Sequence, residues 1–242
     1  MPERIFAELP HCDGLLAFTT AAPTDYRAGT ETGEINRRDL ERDLAPLELS
    51  WLALEHGGRV VCDPSGSSLA ADAAVVTQAG HAVAFTTADC LPVIIADLAN
   101  HAVAGIHAGW RGLASGVIEN TVNMLLAYEQ ADRYEASALY AWIGPGIAQE
   151  DYEVGADVRD ALLSLSVLAE LSEAHDRLFL PARPGHWLAD LPFIAALILT
   201  DAGLSPDAIT RYPTSTFRGS HLHSARRDGE LSGRMATVVG LL

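Results

Sequence analysis

"TTADCLPVIIADLANHAVAGIHAGWRG", Thr86 to Gly112, decides how this chain is read. Its two apolar runs, LPVIIAD (91–97) and HAVAGIH (101–107), have strand length and are parted by the short polar-ended connection LAN. Paired as antiparallel neighbours, they bring the start of one run to the end of the other. That sets Cys90 beside His107 at one sheet edge. Gly109 and Gly112 then let the backbone turn tightly, carrying Trp110 and Arg111 over the same edge and into a helix N-terminus.

A thiol and an imidazole at one point are a nucleophile with its base, two metal ligands, or simply a buried cysteine and a capping histidine. A third group bears on the choice. In LEHGG, His56 precedes Gly57-Gly58 after a strand, where a turn could return it to the same edge. His-Cys-His with an open fourth position is how a catalytic zinc is held. Asp89 adjoins Cys90, where a carboxylate orients a ligand, caps the turn or serves as a general base.

Outward from this stretch, short strand-like segments fall at 14–20, 50–54, 59–63, 73–77 and 82–87. A charged amphipathic helix is expected over 35–47, ending at Pro46. After Leu113 the period changes: Val117, Thr121, Met124, Leu125 and Tyr128 recur at spacings of three and four, predicting a helix over 113–129. A strand at 138–144, helices over 153–165 and 188–203, and strands at 208–212 and 236–241 complete the expectation. Strands follow strands for roughly sixty residues before a helix intervenes, which favours a mixed α+β layered domain over strict alternation. No repeat or linker divides residues 1–242, so a single domain is expected.

Sixteen Lys and Arg against thirty-two Asp and Glu give a net charge of −16. Such a surface repels phosphate backbones, excluding general nucleic-acid binding but not a small anion in an arginine-lined pocket. Cys12, Cys62 and Cys90 form no Cys-x-x-Cys pair, and Cys62 reads as a small core residue. The start of the chain lacks a basic segment followed by an apolar one, and no window suits a membrane span. A soluble, cytoplasmic, monomeric protein with reduced thiols is expected.

Four segments in order, TADCLPVIIAD (87–97), HAGWRGLASGVI (107–118), IGPGIAQEDYEVG (143–155) and SARRDGELSGRMA (224–236), closely resemble the YfiH family. Its members are the laccase-domain proteins, also known as polyphenol oxidoreductases, purine nucleoside phosphorylases and, in bacteria, peptidoglycan editing factor. The resemblance covers the chain from about Leu54 onward. It implies an α/β/β-type layered sandwich shared with cytotoxic necrotizing factor toxins. It also implies one zinc held by two histidines and a cysteine, here His56, Cys90 and His107. The substrates implied are purine nucleosides and inorganic phosphate: phosphorolysis of adenosine, inosine, guanosine and methylthioadenosine, and deamination of adenosine. A four-copper laccase centre needs many paired histidines, whereas this chain has nine histidines and one His-x-His pair, His221 and His223. A phenol oxidoreductase with one copper at the single site remains open, since copper outcompetes zinc for nitrogen donors.

Phosphate needs cations, and Arg forks suit it. The candidates are Arg111, Arg226, Arg227 and Arg234; of the adjacent pair only one can enter a pocket if they lie on a strand, and Arg227 is preferred. Trp110 or Tyr152 would stack on the base. The chain also departs from the family pattern. Phe18-Thr19-Thr20-Ala21 lacks the arginine expected after the third residue, although Asn36-Arg37 is kept. The metal side therefore looks intact and the phosphate side eroded. Three functions follow: a zinc enzyme of purine nucleosides; a peptidoglycan-precursor hydrolase using Cys90 with His107, or zinc-bound water; and a nucleoside-binding relative without turnover.

Overall fold

The computed structural model describes residues 2–10, 13–66, 68–99, 101–127, 139–169 and 175–242. One six-stranded sheet runs in the order β1 (Arg4–Phe6), β2 (Leu15–Thr20), β15 (Met235–Leu241), β7 (His81–Thr87), β3 (Glu48–Ala53) and β5 (Leu69–Ala70). A second runs β14 (Ile209–Arg211), β10 (Leu139–Ile143), β8 (Leu91–Asp97), β9 (Ala102–Ala108), β6 (Ala73–Val76) and β4 (Val60–Cys62). A small third sheet places β13 (His186–Ala189) between β11 (Glu153–Gly155) and β12 (Phe179–Pro181).

Alternation along the strands builds the layers. In the second sheet, Ala74, Val76, Ile94, Val103 and Trp142 face the first sheet and meet Val83, Phe85 and Val239. The intervening positions Val75, Val93, Ile95, Ala104, Ile106 and Ile143 face α3 (Val117–Ala127) and α7 (Leu191–Asp201). On the far side of the first sheet, Phe18, Ala84 and Val238 pack with Leu40 and Leu44 of α1 (Glu31–Leu44). Both faces of β8 and β9 are thus covered, which is why the runs read as continuously apolar. Each fully buried large aliphatic side chain there contributes about 1.5–3 kcal/mol relative to exposure. Gly105 lets the sheets approach: a Cβ there would lie 2.8 Å from the Phe85 ring and 3.0 Å from a Val239 methyl.

The layered mixed-sheet expectation holds, with helices outside both sheets rather than one. Helix boundaries shift for local reasons. The helix expected over 35–47 starts earlier because Thr30 caps it, its Oγ1 accepting from Gly33 N at 3.1 Å, and it stops at Leu44. The 113–129 helix is two, α2 (Trp110–Ala114) and α3, broken where Gly116 adopts φ 73°. Tyr128 lies outside the described residues, as does Cys12. The 153–165 segment begins as β11 before turning into α4 (Ala156–Leu163), followed by the short α5 (Ser166–Ala169) and α6 (His175–Leu178). The 188–203 segment begins in β13, and Asp190 then caps α7 by accepting from Phe193 N at 3.0 Å. Cys62 is exposed rather than in the core, because β4 is the outermost strand of its sheet.

Candidate functional site

The β8–β9 pairing has the expected register, with Leu91 opposite Ala108 and Pro92 opposite His107. Cys90, one residue before β8, therefore comes beside the His107 ring, where its sulfur favours the protonated imidazole. Gly109 keeps this contact open, since a Cβ there would sit 2.8 Å from Cys90 Sγ. His56 stands at the turn after β3 with φ 59°, and its ring meets that of His107 edge-on, centroids 4.9 Å apart. All three side chains line one cavity of about 440 Å³.

Behind them lies Asp72, fully buried and absent from the sequence expectation. Its Oδ1 is 2.9 Å from His107 Nδ1 and accepts from His56 N, also at 2.9 Å. Its Oδ2 accepts from Gly57 N at 2.8 Å and Glu55 N at 3.2 Å. These hydrogen bonds hold the Asp72 carboxyl below its ordinary range against the opposing effect of burial. Burial alone would depress His107, but its bonds to Asp72 and Cys90 outweigh that and raise it to about 9. Burial, reinforced by neighbouring His107, lowers His56. A lone aspartate inside the apolar run Leu69–Val76 was the available sequence signal.

Two imidazoles and a thiol, one imidazole backed by a carboxylate, match in kind the donors a zinc ion takes. As the side chains stand, Cys90 is engaged with His107. Among the described residues no group of three or more His, Cys, Asp or Glu side chains is arranged to hold an ion. A cation held here would require the thiol and both imidazoles to bind it deprotonated, as metal ligands do.

The same cavity carries Arg27, Arg37 and Arg234, and no carboxylate among the described residues lines it. Arg37 is 9% exposed, donates from Nε to Tyr26 O at 2.9 Å and lies over the Trp51 ring at 4.3 Å. Arg27 donates to Glu230 O at 3.0 Å. Arg234 is held by the carbonyls of Ser232 and Gly233. Burial first, and then the charge of Arg27, lowers the pKa of Arg234. In a chain of charge −16, a cavity with three guanidiniums and no acid is suited to an anion. A larger cavity, about 630 Å³ between the N-terminal segment and α1, bears Glu3, Asp39 and Asp43 and, among the described residues, no His or Cys.

Of the arginines expected to meet phosphate, only Arg234 lines the cavity. Arg226 and Arg227 sit on a helix, α8 (Ala225–Asp228), not a strand, because Ser224 caps it by accepting from Arg227 N at 3.2 Å. The strand placement behind the preference for Arg227 is corrected. Its guanidinium is spent on Asp228 and on the carbonyls of Thr216, Phe217, Gly219 and Leu222. Arg226 donates to Glu153 O and lies over Tyr152 at 5.0 Å, and Arg111 lies over Trp110 at 4.3 Å. Trp110 and Tyr152 do not line the cavity, and each carries a guanidinium on its ring. Asp89, at φ 90°, accepts from Thr216 Oγ1 and from Arg226 N, both at 2.6 Å. Both its oxygens are engaged, so it ties α8 and the 216 loop to the site. His221 bonds to the Tyr212 hydroxyl and His223 to Thr24 O, away from the cysteine. Arg27 and Arg37 were missed as wall residues, although Asn36-Arg37 marked the second.

The family model described as multi-copper polyphenol oxidoreductase laccase matches residues 28–242. That description marks a metal-binding family without identifying the metal here. A purine nucleoside phosphorylase of Xylella fastidiosa is 37% identical over 214 residues, covering 85% of this chain and 77% of its own. One from Pseudomonas aeruginosa is 37% identical over 209 residues, covering 86% and 80%. The crystal structure of Neisseria meningitidis protein NMB0706 superposes with a TM-score of 0.83 at 30% identity, over 98% of both chains. Bacillus licheniformis YfiH shares the fold, with a TM-score of 0.82 at 22% identity over 94% of this chain and 93% of that one. No helix among the described residues is long and apolar enough to cross a membrane. With the match extending through strand, loop and arginine-bearing segments alike, the chain belongs to the YfiH family of laccase-domain proteins.

Proposed function

We propose that the protein is a purine nucleoside phosphorylase working in the 440 Å³ cavity. One observation carries this reading: Arg27, Arg37 and Arg234 share that cavity with His56, Cys90 and His107, and no carboxylate among the described residues lines it. The relatives described as purine nucleoside phosphorylases support it. The arginines hold inorganic phosphate and aim an oxygen at C1′ of the ribose. That oxygen bonds to C1′ as the bond from C1′ to the purine nitrogen breaks, and the departing base takes the proton that the hydrogen phosphate gives up. Leu52, Ala53 and Leu54 supply the apolar wall against which the base rests. Holding both partners in line is the chief service such a pocket gives.

His56, Cys90 and His107 would hold zinc, which when bound supplies Lewis acidity beside the substrate. Copper would take the same donors. Deamination of adenosine belongs to the same proposal, since it needs the donors but not the arginines. The test is to incubate purified, zinc-loaded protein with adenosine or inosine, with and without phosphate, and to separate the products. Phosphate-dependent release of adenine or hypoxanthine is expected, with inosine formed from adenosine regardless of phosphate. Release of neither base, with phosphate in excess, counts against the reading.

A second reading rests on the row Cys90–His107–Asp72, a thiol, an imidazole and a buried carboxylate in contact. This is the order of a cysteine hydrolase, suited to an amide such as a peptidoglycan precursor. Cys90→Ser separates the two. A variant that keeps zinc but loses amide cleavage marks a nucleophile; one that loses zinc marks a ligand.

A further inference from the structure

One buried carboxylate touches both histidine-bearing segments. Asp72 is 0% exposed, and four donors converge on its two oxygens: His107 Nδ1, and the backbone N–H groups of His56, Gly57 and Glu55. Its own backbone is fixed as well. Asp72 O accepts from His107 N at 2.7 Å, and Asp72 N donates to Arg59 O at 3.1 Å. The aspartate is therefore rigid against β9 and the 54–59 turn. That turn holds His56 at φ 59°, a conformation L-residues rarely adopt without support.

The chemistry of each contact is directional. Three of the four donors are N–H groups that nothing can turn into acceptors. A carboxylate, which only accepts, satisfies them and requires the fourth partner, His107 Nδ1, to carry its proton. A neutral imidazole protonated on Nδ1 keeps its lone pair on Nε2, the nitrogen facing away from Asp72. We propose that Asp72 is a positioning residue for the site: it keeps a proton on His107 Nδ1, so that Nε2 is the nitrogen that gives up its proton to a metal and ligates it. At the same time it pins the strained turn that presents His56 beside that ring. The proposal rests on reading His56, Cys90 and His107 as ligands, and goes beyond it by naming the group that makes two of them competent together.

Asp72→Asn is the informative variant because it keeps size and shape. Its amide has one accepting oxygen and one donating nitrogen. If the nitrogen takes the Oδ1 position, it confronts His107 Nδ1 and His56 N; if it takes the Oδ2 position, it confronts Gly57 N and Glu55 N. Either way a donor meets a donor. Zinc affinity is read by competition with a chromophoric chelator, using zinc alone as the probe. Loss of such an outer partner typically weakens metal binding about 10–100-fold, and that fall is expected here with the far-ultraviolet dichroism unchanged. A second readout needs no variant: ¹⁵N spectra of the wild-type protein titrated with zinc. Zinc is expected to shift His107 Nε2 while Nδ1 keeps a slowly exchanging proton. Zinc bound through Nδ1 overturns the proposal, whether or not the variant folds. Wild-type protein that binds zinc, with a folded Asn variant that binds it equally well, overturns the proposal and leaves the ligand set standing. Wild-type protein that takes up no zinc overturns the ligand set, and the proposal with it.

Discussion

The two walls of the cavity are built by different means. Cys90 and His107 sit at the ends of β8 and β9, whose register of seven paired residues fixes where their side chains begin. The arginine wall is assembled from separate pieces: Arg27 on a loop, Arg37 on α1, and Arg234 just before β15. Those three are tied down by hydrogen bonds from their side chains to backbone carbonyls. A wall fixed by strand pairing is rigid and its placement follows from the fold. A wall tied by side chains can be composed from different positions, which is how the site has three cations although Ala21, 1% exposed, stands where an arginine was expected.

The sharpest way to break that contrast is His107→Ala. If the strand-end wall carries the chemistry, kcat/KM for phosphorolysis falls by about 10²–10⁴, the range for loss of a positioned catalytic group. A fall under threefold, measured on folded protein, removes the wall from the mechanism. Arg234→Ala probes the other side. Losing one charge-assisted hydrogen bond costs about 1.5–3 kcal/mol, so KM for phosphate rises about 10–100-fold while nucleoside affinity holds. A rise in nucleoside KM alone would reassign that wall to the sugar.

The two walls also differ in their response to pH. His107 carries a raised pKa of about 9, so in metal-free protein its contribution to stability is complete below the unfolded value of about 6.5. That contribution declines as pH rises toward 9. His56, lowered, acts oppositely, and its contribution fades as pH drops below its unfolded value. Thermal melts of metal-free wild type and His107→Gln, compared from pH 6 to pH 10, are expected to converge on the alkaline side. Parallel curves would refute the assignment.

Smaller effects test the scaffold. Gly105→Ala forces a methyl against Phe85 and Val239, and overpacking of this kind costs about 1–3 kcal/mol. In a chain of this size that lowers Tm by roughly 2–4 °C per kcal/mol. Least of all should Arg227→Ala touch turnover. It releases the 216–222 loop and lowers Tm, but KM for phosphate stays within about twofold, because that guanidinium never reaches the cavity.

Much of the first wall was legible because its cause is local. A three-residue connection between two apolar runs permits hardly any pairing but the hairpin, and the hairpin places Cys90 against His107. The convergence of His56 depended on a Gly-Gly turn, again a short-range signal. Asp72 escaped notice because its partner His107 is thirty-five positions away and its neighbours are alanines; nothing nearby marks it as a hub. Asp89, next to the cysteine, drew the role instead, yet its oxygens face Thr216 and Arg226. Arg226-Arg227 misled for a related reason. Strand alternation was applied to what Ser224 turns into a helix, and no spacing rule could show that one guanidinium would be consumed by four carbonyls.

One pairing has a consequence for how the molecule comes into being. β15, residues 235–241, lies between β2 and β7, so the first sheet stays split until those residues have been synthesised. The second sheet's centre, β8 with β9, is contiguous in sequence and can assemble much sooner, while its inner face still lacks the part of its cover that Val239 of β15 supplies. A nascent chain paused at that stage would present Ile94 and Val103 to solvent, the kind of surface that recruits chaperones.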